Sequence, residues 1–87
     1  NDKAFVVQDI APHAPVDLLI GPHEHTPTLL DLADYGIVAD VFKVAGELAK
    51  RFEIAEQGFL IRHNVNEWGG QRVFHIHFHL LGGRKFD

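Results

Sequence analysis

The run His75-Ile76-His77-Phe78-His79-Leu80-Leu81 constrains this chain more than any other stretch. Its histidines alternate with large apolar residues, and a period of two is the pattern of a β-strand with one face buried. Read that way, His75, His77 and His79 share one face, while Ile76, Phe78 and Leu80 share the other. Histidine is only an intermediate core residue, so packing gives little reason for such a row. Imidazole is the side chain suited to nucleophilic attack and proton transfer near neutral pH. Same-face neighbours on a strand lie about 7 Å apart, which separates the outer pair by about 13 Å at the backbone. One tetrahedral metal with bonds of about 2.0–2.1 Å cannot readily take all three rings. Two of them plus a ligand from another strand would suit zinc. A linear row would suit an extended substrate, with one histidine attacking and its neighbours holding the groups on either side. A histidine-rich surface strand is the plainest alternative.

The segment ahead of this strand, Asn64-Val65-Asn66-Glu67-Trp68-Gly69-Gly70-Gln71-Arg72, is polar and carries a glycine pair. Glycines let the backbone approach a ligand, and successive loop amides can bind an anion. A glycine pair before a strand also makes an ordinary turn. Its position beside the histidines favours a phosphate site.

The rest of the chain reads as one small α+β domain, because 87 residues lie near the lower end of what folds alone. Ala4 to Gln8 is short and apolar and predicts a strand. Pro12-His13-Ala14-Pro15 predicts a turn, since proline fixes its own φ and restricts the residue before it. Val16 to Gly21 predicts a second strand, antiparallel to the first, and Thr28 is placed to cap a short helical turn over Leu29, Leu30 and Leu32. From about Asp34 to Phe52 the period becomes helical: Val38, Val41, Phe42, Ala45, Leu48, Ala49 and Phe52 form one stripe, widened by Ile37 and Val44. Such a wide stripe fits a buried face or a helix shared between two subunits. Phe59 to His63 and Val73 to Leu81 predict the third and fourth strands, completing an antiparallel meander packed with one long helix. His13 and His23 read as exposed loop residues, His63 as structural, Trp68 as packing its loop, and Asp31, Asp34 and Asp40 as a solvated face.

There is no cysteine, so disulfides and thiolate zinc sites are excluded within this sequence. No apolar stretch is long enough for a membrane helix and no signal peptide is visible. A formal charge of −4 argues against a broad nucleic-acid surface, but a mononucleotide needs only a local positive pocket.

The segment from Gly69-Gly70-Gln71-Arg72 through His75-Ile76-His77-Phe78-His79-Leu80-Leu81 to Gly82-Gly83-Arg84 resembles the signature of the histidine triad (HIT) superfamily. Its flanking Gly-Gly-Gln and Leu-Gly-Gly-Arg are similar to those of the Hint branch, the purine nucleoside phosphoramidases. The likeness extends upstream through Phe5-Val6-Val7-Gln8-Asp9-Ile10-Ala11-Pro12 and through Leu19-Ile20-Gly21-Pro22-His23-Glu24-His25, so it covers nearly the whole chain. It implies a HIT-like fold of five strands in the complete family, four of which are present here. On that pattern the chain is a single domain over 1–87 that lacks the family's N-terminal helix and strand and its C-terminal tail, and Asn1-Asp2-Lys3 is the turn after the missing strand.

The resemblance implies a function as well. It is hydrolysis of a purine nucleoside 5′-phosphoramidate to the monophosphate and an amine, in a cytoplasmic homodimer joined through the long helix and neighbouring strand. His77 then matches the nucleophile that becomes nucleotidylated, His79 the residue that contacts phosphate and assists the leaving group, and His75 the support behind the nucleophile. His25 matches a phosphate-side histidine, Asp9 with Ile10 the ribose position, and Asn64 a residue near ribose and phosphate. Amides of the Gly70-Gln71-Arg72 stretch would steady the phosphoryl oxygens. No cofactor or metal is implied, zinc being the disfavoured alternative. Arg72 departs from the pattern, since many Hint members carry serine there, and an arginine can pair with phosphate through two hydrogen bonds or point to solvent. Dinucleoside polyphosphate hydrolysis, nucleotidyl transfer, and a non-catalytic nucleotide- or zinc-binding module are the competing functions.

Overall fold

The computed structural model describes residues 4–87, so the expected turn at Asn1-Asp2-Lys3 lies outside the described residues. The chain runs through β1 (Ala4–Gln8), β2 (Val16–Pro22), a 3-10 turn (Leu29–Asp31), α1 (Gly36–Arg51), β3 (Leu60–Arg62), a second 3-10 turn (Glu67–Gly69) and β4 (Phe78–Gly82). The strands form one antiparallel sheet in the order β1-β2-β4-β3. The architecture is α+β as expected, but the order departs from a strict meander. The chain leaves β2, passes through α1, returns at the far edge as β3, and fills the gap last with β4.

Side-chain alternation divides the sheet into two faces. Val16, Leu18 and Ile20 of β2 and Phe78 and Leu80 of β4 point toward α1. They meet Val41, Val44, Ala45 and Ala49 of the helix, with Ile54 and Ile76 closing the two ends of the core. Val44 lies inside the buried stripe, whereas Phe42 and Phe52 stay partly exposed. Lys50 and Arg51 close the last turn, where the helix dipole favours cations. Thr28 caps the first 3-10 turn as its sequence position predicts: its hydroxyl accepts from the Leu30 amide, and the Asp31 carboxylate accepts from the Thr28 amide in return.

The opposite face carries Asp17 and Leu19 of β2, His79 of β4 and Arg62 of β3. Here one expectation needs correcting. The histidine run is not one continuous strand: β4 begins only at Phe78, and residues 73–77 are extended without ladder pairing. The cause is local. Beyond the Ile20–Phe78 pair the neighbouring strand ends at Pro22, and the Ile76 amide turns instead to the Thr26 carbonyl at 2.6 Å. The crossing is close enough that a Cβ on Gly21 would lie 2.6 Å from the Ile76 carbonyl oxygen, so glycine is what this approach allows.

Candidate active site

A cavity of about 500 Å³ opens on the polar face of the sheet, lined among others by His77, His79, Arg62, Asn64, Arg72 and Asp9. His77 reaches it from the unpaired segment. Its Nδ1 donates to the carbonyl of His75 at 2.7 Å, which fixes the tautomer and leaves the Nε2 lone pair free. The His77 carbonyl is held in turn by His63, whose Nδ1 donates to it at 2.8 Å while the ring stacks on Phe78 at 4.1 Å between centroids. His63 therefore has the structural use expected of it. His75 sits behind His77: its Nε2 donates to the Pro22 carbonyl at 2.7 Å, and its Nδ1 accepts from His25 Nδ1 at 3.4 Å.

His79 lies next to His77, with ring centroids 5.4 Å apart. Its Nδ1 is 3.3 Å from Asp17 Oδ1 and 3.7 Å from Asp9 Oδ2. Burial pushes the His79 pKa below the usual histidine value; the Asp17 hydrogen bond opposes this and the nearby Arg62 charge adds to it. The neutral ring that results donates from Nδ1 to Asp17 and keeps a lone pair on Nε2. Asp17 is fully buried, which alone would raise its pKa. Hydrogen bonds from the His13 amide, the His13 ring and the His79 ring outweigh burial and hold it below the ordinary carboxylate value.

Asp17 and His13 were not legible as site residues. His13 reads from sequence as a free loop residue, yet its ring, although half exposed, is tied to Asp17 at 3.2 Å and borders the cavity. Its carbonyl also accepts from the Arg84 guanidinium at 3.1 and 3.2 Å. The available signal was Asp17 itself, a carboxylate inside an otherwise apolar strand at a position that shares the face of Leu19. Asp9 does two things. Its Oδ1 accepts from the Ala11 amide and forms the turn, while Oδ2 faces His13 and His79. Asp9, His13 and Asp17 present ligand atoms within 4.8 Å of one another and could hold a divalent cation, though the same atoms already pair through hydrogen bonds.

Other expected site residues separate. Asn64 borders the cavity and donates from Nδ2 to the Gly69 carbonyl at 2.6 Å, leaving its own carbonyl oxygen for a ligand. Gln71 is buried and fully engaged: Oε1 accepts from the Asn66 amide, and Nε2 donates to the Pro27 and Val73 carbonyls. It fastens the loop. The amides of Gly70 and Gln71 already donate to Glu67 and Asn66, so of the expected amide cradle only the Arg72 amide lacks a partner among the described residues. Gly70 holds φ at 85°, a left-handed turn that glycine adopts without strain. Ile10 is wholly exposed and does not border the cavity. The structure does not bring His25 to the His77–His79 cavity either; it stands beside His75 and lines a separate hollow with Glu24 and Asp31. Trp68 is 99% exposed, contrary to the loop-packing expectation.

Comparison with known proteins agrees with this geometry. The HIT domain family matches residues 1–86. The chain is 40% identical over 86 residues to the purine nucleoside phosphoramidase of Escherichia coli, covering 97% of this chain and 72% of that one. Among solved structures, a HIT family hydrolase from Clostridium thermocellum superposes with a TM-score of 0.96 at 36% identity, over 100% of this chain and 77% of that one. A HIT family hydrolase from Legionella pneumophila gives 0.93 at 40% identity, over 98% and 78%. Neighbouring histidines at the end of a central strand, the fold around them and these matches lead to one assignment: the chain belongs to the HIT family, in company with hydrolases of that family.

Proposed function

We propose that this protein is a hydrolase that cleaves purine nucleoside 5′-phosphoramidates to the nucleoside monophosphate and an amine, through a nucleotide carried transiently on His77. The observation that carries the reading is the His77 tautomer: with Nδ1–H committed to the His75 carbonyl, Nε2 is the nucleophile. It attacks the α-phosphorus, the P–N bond breaks, and the amine departs with the electron pair and takes up a proton. Water then displaces His77 from phosphorus. His79, oriented by Asp17, stands beside the reacting groups with its Nε2 available to relay these protons. The positive charge that develops on the His77 ring is steadied by the carbonyl its Nδ1–H already meets. Asp9 and the Asn64 carbonyl oxygen are acceptors available to the ribose hydroxyls. The relative's name supports the substrate class. A homodimer through α1 belongs to the same reading, supported by the half-exposed Phe42 on that helix.

The test is turnover of adenosine 5′-phosphoramidate, with chelator present, beside the His77→Ala variant. The expected result is unchanged wild-type activity under chelation and a loss in the variant of at least about 10³-fold, the scale on which removal of a covalent nucleophile acts. Mass spectrometry of acid-free quenched wild-type protein should show one added nucleoside monophosphate on His77. A variant retaining more than a tenth of the rate would remove His77 from this role.

A further inference from the structure

His77 reaches the cavity from residues 73–77, which are extended but belong to no ladder. Strand pairing therefore does not set the direction in which its ring leaves the backbone, and the segment is held from outside. Ahead of residue 77, the Thr26 carbonyl holds the Ile76 amide. Behind it, the His77 carbonyl immediately precedes β4 and accepts from His63 Nδ1 at 2.8 Å. His63 is placed for this by β3, which ends one residue earlier at Arg62. Its ring is set by Phe78, stacked on it at 4.1 Å between centroids and 19° between planes. Phe78 is itself buried and meets Phe42 edge-on at 5.9 Å. The N–H that holds His77 thus comes from a ring that the core keeps from turning. The arrangement has a cost. The other nitrogen of that ring, Nε2, is buried with no hydrogen-bond partner among the described residues. A buried polar atom left unpaired is destabilising. Phenylalanine would make the same stack without the orphan, so packing gives no reason for histidine here. What histidine adds is the Nδ1–H.

We propose that His63 is a positioning residue for His77: by holding the His77 carbonyl it fixes the peptide plane from which the ring is aimed into the cavity. The inference rests on the hydrolase reading and adds to it a residue that touches no substrate. His63 does not border the cavity, whereas Asn64 beside it does. The two restraints on His77 are different in kind. The His75 carbonyl fixes the ring tautomer, and His63 fixes the backbone that carries the ring. A reacting atom displaced by about 1 Å loses about 100-fold in rate, so a single backbone restraint at this position has a large effect on attack.

The test measures kcat, KM and melting temperature of His63→Phe, His63→Asn and His63→Leu, beside the wild type and His77→Ala, with adenosine 5′-phosphoramidate as substrate. Phenylalanine keeps the stack and removes the donor. Asparagine removes the stack but brings its Nδ2 to where Nδ1 stood, and leucine has the shape of asparagine without the donor. Stability and activity are expected to part. His63→Phe should melt within about 4 °C of the wild type or above it, because it deletes one unpaired atom while freeing the His77 carbonyl. Its kcat should nevertheless fall about 10- to 100-fold, with KM within about threefold. His63→Asn should turn over at least about fivefold faster than His63→Leu whichever melts higher. If His63→Phe does not fold, the contrast between asparagine and leucine decides the matter alone. Activity that simply follows melting temperature across the variants overturns the inference, since a residue that only packs would behave so. A loss confined to KM also overturns it, by tracing the effect to Asn64. Full activity of His63→Phe, where the wild type turns over and His77→Ala does not, overturns this inference and leaves the hydrolase reading standing. Absence of wild-type turnover, with no adduct on His77, overturns both.

Discussion

The two faces of the one sheet obey different rules. Toward α1, Leu18, Ile20, Phe78 and Leu80 are apolar and closely packed, and each contributes by being removed from water. Toward the cavity, Asp17 and His79 are buried as well, but each is held by a polar partner. Burial is common to both faces, and partnership is what the polar one adds. A buried carboxylate or imidazole is tolerable only where its hydrogen bonds are supplied. The Asp17–His79 pair therefore stabilises the cavity and orients the His79 ring at once, while the His77 ring is oriented by the His75 carbonyl.

Substitutions on the two faces should separate stability from chemistry. The largest expected effect on folding is Leu80→Ala, at a side chain with no exposure. It should cost about 2–5 kcal/mol and lower the melting temperature by roughly 10 °C or more, read by circular dichroism. A loss below about 1 kcal/mol would mean that the helix-facing side is not the main core. Asp17→Asn comes next. The amide cannot accept from every donor that now converges on the carboxylate, and the expected loss is about 1–3 kcal/mol. Because Asp17 raises the His79 pKa, the variant should also show His79 titrating at lower pH by NMR. An unmoved His79 titration would break the link between the two residues.

Acidification sharpens the same contrast. A histidine whose pKa is lowered on folding binds protons more readily when unfolded, so His79 removes stability as pH falls below 6.5. A carboxylate whose pKa is lowered on folding contributes fully above 3.8, and that contribution disappears as pH falls through its folded value. Urea midpoints of wild type and Asp17→Asn should therefore converge below that point. A gap that persists into strong acid would assign Asp17 a packing role. The smallest effect is expected at Trp68→Ala, outside both faces: a stability change within about 0.5 kcal/mol, measured by the same melts. A larger loss would show that the indole is covered in solution.

The helix, the β1–β2 pair and the Thr28 cap were legible because each depends on neighbours in sequence: helical spacing, prolines at a turn, a hydroxyl before an apolar turn. The histidines at 77 and 79 were legible because alternation survives the change from unpaired chain to strand. What was not legible depends on distant partners. The onset of β4 is set by Thr26 capturing the Ile76 amide, His79 meets a carboxylate 62 residues earlier in the chain, and Arg62 reaches the cavity wall through its register opposite His79. The placement of His25 beside His75 likewise follows from how the β2 end crosses the histidine segment, which no local pattern encodes.

The strand order has a consequence for how the molecule comes into being. β4 is the last strand along the chain and lies between β2 and β3. During synthesis, β1 and β2 can pair early as a local hairpin, but among the described strands β3 has no partner until β4 emerges. Pairings between distant segments are the slow part of folding, and unpaired strand edges are prone to aggregate while they wait. The segment that joins the two halves of the sheet is also the one that carries His77 and His79. A chain stopped short of it would leave β2 with an open edge and would lack both cavity histidines, so assembly of the sheet and arrival of His77 and His79 are a single late event.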